Sequence, residues 1–133
     1  DVKVFDVALS AANMKELYDN SKVIIPSNIS QTNLKGWWSL AEGTGNTCYD
    51  GSGNGYHGTA TNTDGDEWLI GQTGAPQLIE GYNKPMLFSN AGSDYVQATS
   101  TSTGPLANQN YTIAAWVNPA VSPPGAFFHG MME

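Results

Sequence analysis

The chain has 133 residues, 40% hydrophobic and only 13% charged, against about 25% charged in an average soluble protein. Twelve Asp or Glu against five Lys or Arg give a formal charge of -7, so the basic footprint of a nucleic-acid binder is missing; such a field repels anionic membranes and suits calcium or a neutral, hydroxyl-rich ligand. Abundant Gly, Ser, Thr and Asn point to a β protein with many turns and exclude a coiled coil, a helical bundle and an acidic disordered tail, and no apolar run approaches the roughly 20 residues of a membrane helix.

Residues 1–20, DVKVFDVALSAANMKELYDN, change period partway. Val2, Val4 and Phe5 around Lys3 alternate as a strand does. Ser10 is a good N-cap, and the spacing of Met14, Leu17 and Tyr18 predicts a short amphipathic helix over Ala11 to Tyr18. Residues 21–34, SKVIIPSNISQTNL, form a connector: Pro26 blocks a central strand and Ser, Asn, Gln and Thr surround it. Val23-Ile24-Ile25 can still pack as an edge strand. Asn28-Ile29-Ser30, and later Asn110-Tyr111-Thr112, match the N-glycosylation sequon, a motif short enough to arise by chance.

The densest signal is the run Gly36 to Gly58, GWWSLAEGTGNTCYDGSGNGYHG. Trp37 and Trp38 are neighbours on a strand and must face opposite sides of it. Glu42-Gly43-Thr44-Gly45 turns the chain and Thr47-Cys48-Tyr49 returns as a short strand. Asp50-Gly51-Ser52-Gly53-Asn54-Gly55 then crowds in residues that tolerate positive φ. Cys48, the single cysteine, has no internal disulfide partner and suits a buried small hydrophobe better than a reactive thiol.

This aromatic strand, acidic-glycine turn and Asp-x-Ser-Gly-Asn-x-x-x-Gly loop are followed by Lys84-Pro85-Met86-Leu87-Phe88, by Gly92-Ser93-Asp94-Tyr95-Val96, and by a segment from Tyr111 to Pro119. In that order they resemble the laminin-G-like, concanavalin A-like jelly-roll superfamily. The resemblance implies an all-β, two-sheet antiparallel jelly-roll sandwich with one short N-terminal helix. It also implies an unusual order. Residues 1–20 resemble the closing strand and helix of such a domain, residues 21–34 connect, and residues 35–133 resemble the front part of a jelly roll, its later half missing after Glu133. Opening on Asp1, the chain is expected to be a processed form, an excised segment or part of a longer chain. It either crosses the junction of two tandem domains or is permuted, with residues 1–18 folded back on the domain that starts at Lys35. A lone half sandwich leaves unpaired strand edges, which favours a longer chain.

Catalysis is not expected. A retaining glycosidase needs two carboxyl groups about 5–5.5 Å apart, which a Glu-x-Asp-x-Glu strand supplies and this sequence does not contain. Asp64-Gly65-Asp66-Glu67 reads as a solvated turn, Glu80 and Glu133 stand alone, and neither His57 nor His129 has a Ser or Cys partner in a recognisable motif. Asp50, Ser52 and Asn54 alternate as oxygen ligands of a structural calcium ion would, with Asp50 as a turn-capping Asx residue the competing reading. For a glycan ligand the candidate stacking residues are Tyr56, Trp68, Tyr82 and Tyr95, in or beside loops, whereas Trp37, Trp38 and Trp116 sit in strand patterns and are expected to pack.

The resemblance thus implies a non-catalytic recognition or adhesion module, extracellular or on a cell or virion surface, within a larger tandem-domain protein. Its expected partners are a glycan or surface protein and neighbouring laminin-G-like domains or other copies in an assembly, with no nucleic acid and no membrane insertion. The alternatives are a decoration or assembly module of a phage or virus particle, fibre or filament, and an accessory module of a carbohydrate-active enzyme.

Overall fold

The computed structural model describes residues 1–20, 22–62, 68, 86, 88, 93–98 and 110–116. Among these, six strands form two antiparallel sheets. The first sheet has the order β2-β1-β6, from Leu34–Trp38, Val2–Phe5 and Thr112–Ala115; the second has the order β3-β4-β5, from Thr47–Cys48, Gly58–Thr61 and Tyr95–Ala98. One helix, α1 (Ala11–Asp19), and a single 3-10 turn (Gln31–Asn33) complete the elements. The all-β reading with one short helix holds at this level.

β1 is the central strand of the first sheet. It pairs with β2 from Val2↔Trp38 to Phe5↔Leu34, and with β6 from Val2↔Ala115 to Phe5↔Thr112. Both of its faces are covered, since Lys3, Val4 and Phe5 are all buried. Lys3, two residues before Phe5, is buried on the same side of the strand. Its ammonium meets the Asp1 carboxylate at 2.5 Å, the two side chains being 5% and 1% exposed. Burial pushes the Lys3 pKa down, as it must for a cation drawn out of water.

The core is built on that side of the sheet. Phe5, Leu17 and Leu34 are its buried centre, with Val7, Leu9, Val23, Ile24, Ile25, Ile29, Trp37 and Ala114 packed around them. Phe5, Leu17 and Leu34 each contribute on the order of 1.5–3 kcal/mol by leaving water. Val23, Ile24 and Ile25 form no strand; the connector lies over the core as irregular chain, and Pro26 is fully buried beside them.

A reciprocal capping box starts α1, with the Ser10 hydroxyl accepting from Asn13 N–H and the Asn13 carboxamide accepting from Ser10 N–H. Its buried row is Asn13 and Leu17, whereas Met14 and Tyr18 are 39% and 70% exposed. The expected Met14-Leu17-Tyr18 face is thus rotated. Asn13 turns inward because its amide donates to the Asn28 carboxamide, a partner that no helical period reveals, and Tyr18 stacks instead on Trp116. Thr112 fastens β6 to the start of this segment, its hydroxyl accepting from Leu9 N–H and donating to the Val7 carbonyl, both at 2.9 Å.

The second sheet has small residues inside. Cys48, Gly58 and Ala60 are buried, and a Cβ on Gly58 would stand 2.8 Å from Val96 Cγ1. The open end of the β4–β5 pair is closed by Asn62 and Ser93, whose φ angles are 61° and 55°; the Asn62 amide donates to the Ser93 carbonyl at 3.1 Å. Asn is among the few residues that adopt this left-handed region readily.

Candidate functional site

Two features of this framework can bear function: the loop at Asp50 and the outer face of the second sheet. The loop is fastened to β2. Asp50 forms an isolated bridge with Trp38, and Gly51 N–H donates to the Trp37 carbonyl at 2.7 Å. Asp50 Oδ1 accepts from the backbone N–H of Trp37 and of Ser52 at 3.0 and 2.9 Å. Its Oδ2 accepts from the Ser52 hydroxyl and from Tyr56 N–H at 2.9 and 3.0 Å. Burial pushes the Asp50 carboxyl pKa up, but the donors at Trp37, Ser52 and Tyr56 together outweigh it and hold the group below its ordinary value.

The same wiring bears on calcium. The fold brings Asp50, Ser52 and Asn54 together, but a hard cation needs free oxygens, and here both carboxylate oxygens already hold two donors each. The Ser52 hydroxyl is shared between the Asp50 carboxylate and the Lys35 carbonyl. Asn54 turns its amide nitrogen inward, donating to the carbonyls of Leu34 and Lys35 at 3.0 and 3.2 Å. This donor-filled arrangement does not fit a calcium ion; it is a carboxylate clasp. His57 belongs to the clasp as well, its Nδ1 accepting from Asp50 N–H at 3.1 Å.

The paired tryptophans need two glycines. A Cβ on Gly36 would lie 2.2 Å from Trp38 Cη2, and one on Gly51 would lie 2.6 Å from Trp37 Cε3, so each indole rests against a backbone bare of side chain. The Trp37 indole N–H donates to the Asp1 carboxylate at 3.0 Å, and the Trp38 indole N–H to the Tyr56 carbonyl at 2.8 Å.

The four candidate stacking residues lie in different surroundings. Trp68 is 8% exposed and its indole N–H donates to the Gly45 carbonyl at 2.9 Å, so it packs under the glycine turn. Tyr56 is half-buried, with both backbone polar groups engaged by the clasp and by Trp38. Tyr82 lies outside the described residues, as do Asp64, Asp66, Glu67, Glu80, His129 and Glu133. Tyr95, on β5, is 46% exposed.

Tyr95 stands on a defined surface. Facing residues in an antiparallel pair share a face of the sheet, so the registers Thr47↔Thr59, Thr59↔Gln97 and Thr61↔Tyr95 set out two rows. Thr47, Thr59 and Gln97 make one row and Thr61 and Tyr95 the next. All but the half-buried Thr61 are exposed. In a chain of net charge -7, none of the five positions carries a charge.

Sequence patterns gave no sign of a second aromatic feature. Tyr18 and Trp116 stack with centroids 5.4 Å apart beside a cleft of about 130 Å³ lined by Lys3, Met14, Leu17, Tyr18, Ala114, Ala115 and Trp116. Their sequence patterns place Tyr18 on a helix and Trp116 at the end of a strand, and only the tertiary fold joins them. Cys48 is buried, and burial, followed by the nearby Glu42 charge, pushes its thiol up to about 11; a thiol so placed is a poor nucleophile. No protein family, curated protein or solved structure matches the chain.

Proposed function

We propose that this chain belongs to a non-catalytic recognition or adhesion module of jelly-roll type, working outside the cell or on a cell or particle surface within a larger protein, and touching a glycan or a surface protein. One observation carries the reading: among the described residues, the outer positions of the second sheet carry no charge and, Thr61 apart, are exposed, and they present Tyr95 beside a row of hydroxyl and amide groups. Such a face matches a partner that itself both donates and accepts hydrogen bonds. Among the described residues, the two antiparallel sheets with a single short helix agree with a jelly roll, and the pairing of β1 with both β2 and β6 favours residues 1–20 as folded back on the strands that follow. Fold analogy alone fixes no ligand.

Glycan arrays, together with capture of surface proteins by the immobilised 133-residue chain, test the reading. Saturable binding to at least one class is expected. Binding to neither class, by protein with a cooperative melting transition, overturns it.

A further inference from the structure

Within that recognition reading, on which this step rests, we propose that the outer face of the second sheet binds an uncharged, hydroxyl-rich glycan chain without calcium, with Tyr95 as the stacking residue and Thr59 and Gln97 as readers of hydroxyls. The geometry suits an extended ligand. Neighbouring strands lie about 4.8 Å apart, and same-face residues along a strand about 6.7 Å apart, so Thr47, Thr59 and Gln97 form a polar row three strands wide. Tyr95 stands one step along, level with Thr61. An aromatic ring offers an apolar face to the C–H face of a pyranose, and its hydroxyl adds a donor and an acceptor at the rim.

Charge decides the ligand's class. An anionic polysaccharide calls for Lys or Arg at the surface, and none stands among Thr47, Thr59, Thr61, Tyr95 and Gln97; the net charge of -7 adds a repulsive field. A cationic partner lacks carboxylates at the same five positions. Hydroxyl and amide side chains serve both halves of a sugar hydroxyl's bonding. Independence from calcium follows from the clasp, whose carboxylate oxygens are already filled by Trp37, Ser52 and Tyr56.

Affinity electrophoresis of the 133-residue chain tests this, with gels containing a galactomannan, a xyloglucan, a mixed-linkage β-glucan or a polygalacturonate, each run with EDTA and with calcium chloride. Retardation by at least one neutral polymer, unchanged by EDTA, is expected. Tyr95→Ala should weaken it at least about tenfold, in line with loss of an aromatic contact. Thr59→Val, which keeps the branched shape and removes the hydroxyl, should weaken it a few-fold, and Tyr111→Ala, an exposed tyrosine next to β6 of the other sheet, should leave it unchanged. Melting temperatures of the variants report that they are folded. Retardation that survives Tyr95→Ala puts the glycan elsewhere and overturns the inference while leaving the recognition reading intact. Binding only to polygalacturonate, or binding lost in EDTA, overturns it equally. No retardation in any gel overturns it and confines the recognition reading to a protein partner.

Discussion

The two sheets are built on opposite plans. In the first, the central strand buries three consecutive residues, Lys3, Val4 and Phe5, and large side chains from the helix and connector close over it. In the second, the buried inward positions are the small residues Cys48, Gly58 and Ala60 with Val96 beside them, and the outer positions are polar and, Thr61 apart, exposed. Where much apolar area leaves water, stability is concentrated; where little does, the surface is free to carry ligand contacts. The first sheet thus holds more of the fold's buried apolar area, and under the proposed function the second serves display; the Asp50 clasp joins them, since it binds the backbone of β2 on one side and leads into β4 on the other.

The largest effect tests the first half of that contrast. Phe5→Ala removes a fully buried ring from the centre of the core and is expected to cost about 3–5 kcal/mol, read as a lower midpoint in urea denaturation. Thr59→Ala, on the outer face of the second sheet, should stay within about 0.5 kcal/mol. Equal losses at the two positions would erase the distinction between the sheets.

Next in size is the clasp. Asp50→Asn keeps the shape but sets an amide donor against the N–H groups of Trp37, Ser52 and Tyr56, at a cost of about 2–3 kcal/mol. The wild-type carboxyl has a folded pKa below its ordinary value of 3.8. Its contribution is therefore fully present above the unfolded pKa and is lost as pH falls through the folded one. Thermal melts should show wild type losing part of its margin over Asp50→Asn below about pH 4, and neither protein should respond to EDTA. A chelator-induced drop of several degrees in wild type would mean that a cation, not the protein's own donors, holds this loop.

How far the sequence led differs between the same two regions. The period-2 pattern around Lys3 located β1, but local alternation cannot tell a central strand from an edge strand, and burial of Lys3 depends on β2 and β6 arriving from residues 34–38 and 112–115. Ser10 announced its helix because capping chemistry is local. The helix's inner face does not follow from its local period, because Asn13 is satisfied by Asn28, fifteen positions away. The Asp-x-Ser-x-Asn run was visible as a cluster of oxygens. Whether those oxygens are free or occupied is a property of the backbone folding around them. Tyr95 could be named from its loop-flanking position, whereas the Thr47, Thr59 and Gln97 row beside it appears only once the register of β3, β4 and β5 is known.

A smaller effect probes the seam between the sheets. In Gly51→Ala the new methyl would meet the Trp37 ring at 2.6 Å. Overpacking of this kind typically costs 1–3 kcal/mol, and because Trp37 is only half-buried its ring can shift, so about 1–2 kcal/mol is expected. The indole's bond to Asp1 should loosen with that shift, giving a red-shifted tryptophan emission. A fully tolerated alanine would mean that Trp37 does not rest on this loop, and that the clasp alone connects the two sheets.

Tyr95→Ala should have the smallest effect on stability, and it is the sharpest test of the comparison. The side chain is 46% exposed and stands opposite Thr61, and a surface change of this kind stays within about 0.5 kcal/mol, with a further few tenths from alanine's weaker strand preference. Urea unfolding should therefore barely separate the variant from wild type, in the same preparation whose glycan binding is expected to weaken. The two measurements constrain each other. A loss above about 2 kcal/mol would place Tyr95 among groups that pack in the folded chain, and a binding defect could then come from an altered sheet. Unchanged stability with weakened binding leaves one physical account: the ring is held in water by the fold and is covered only when a ligand arrives.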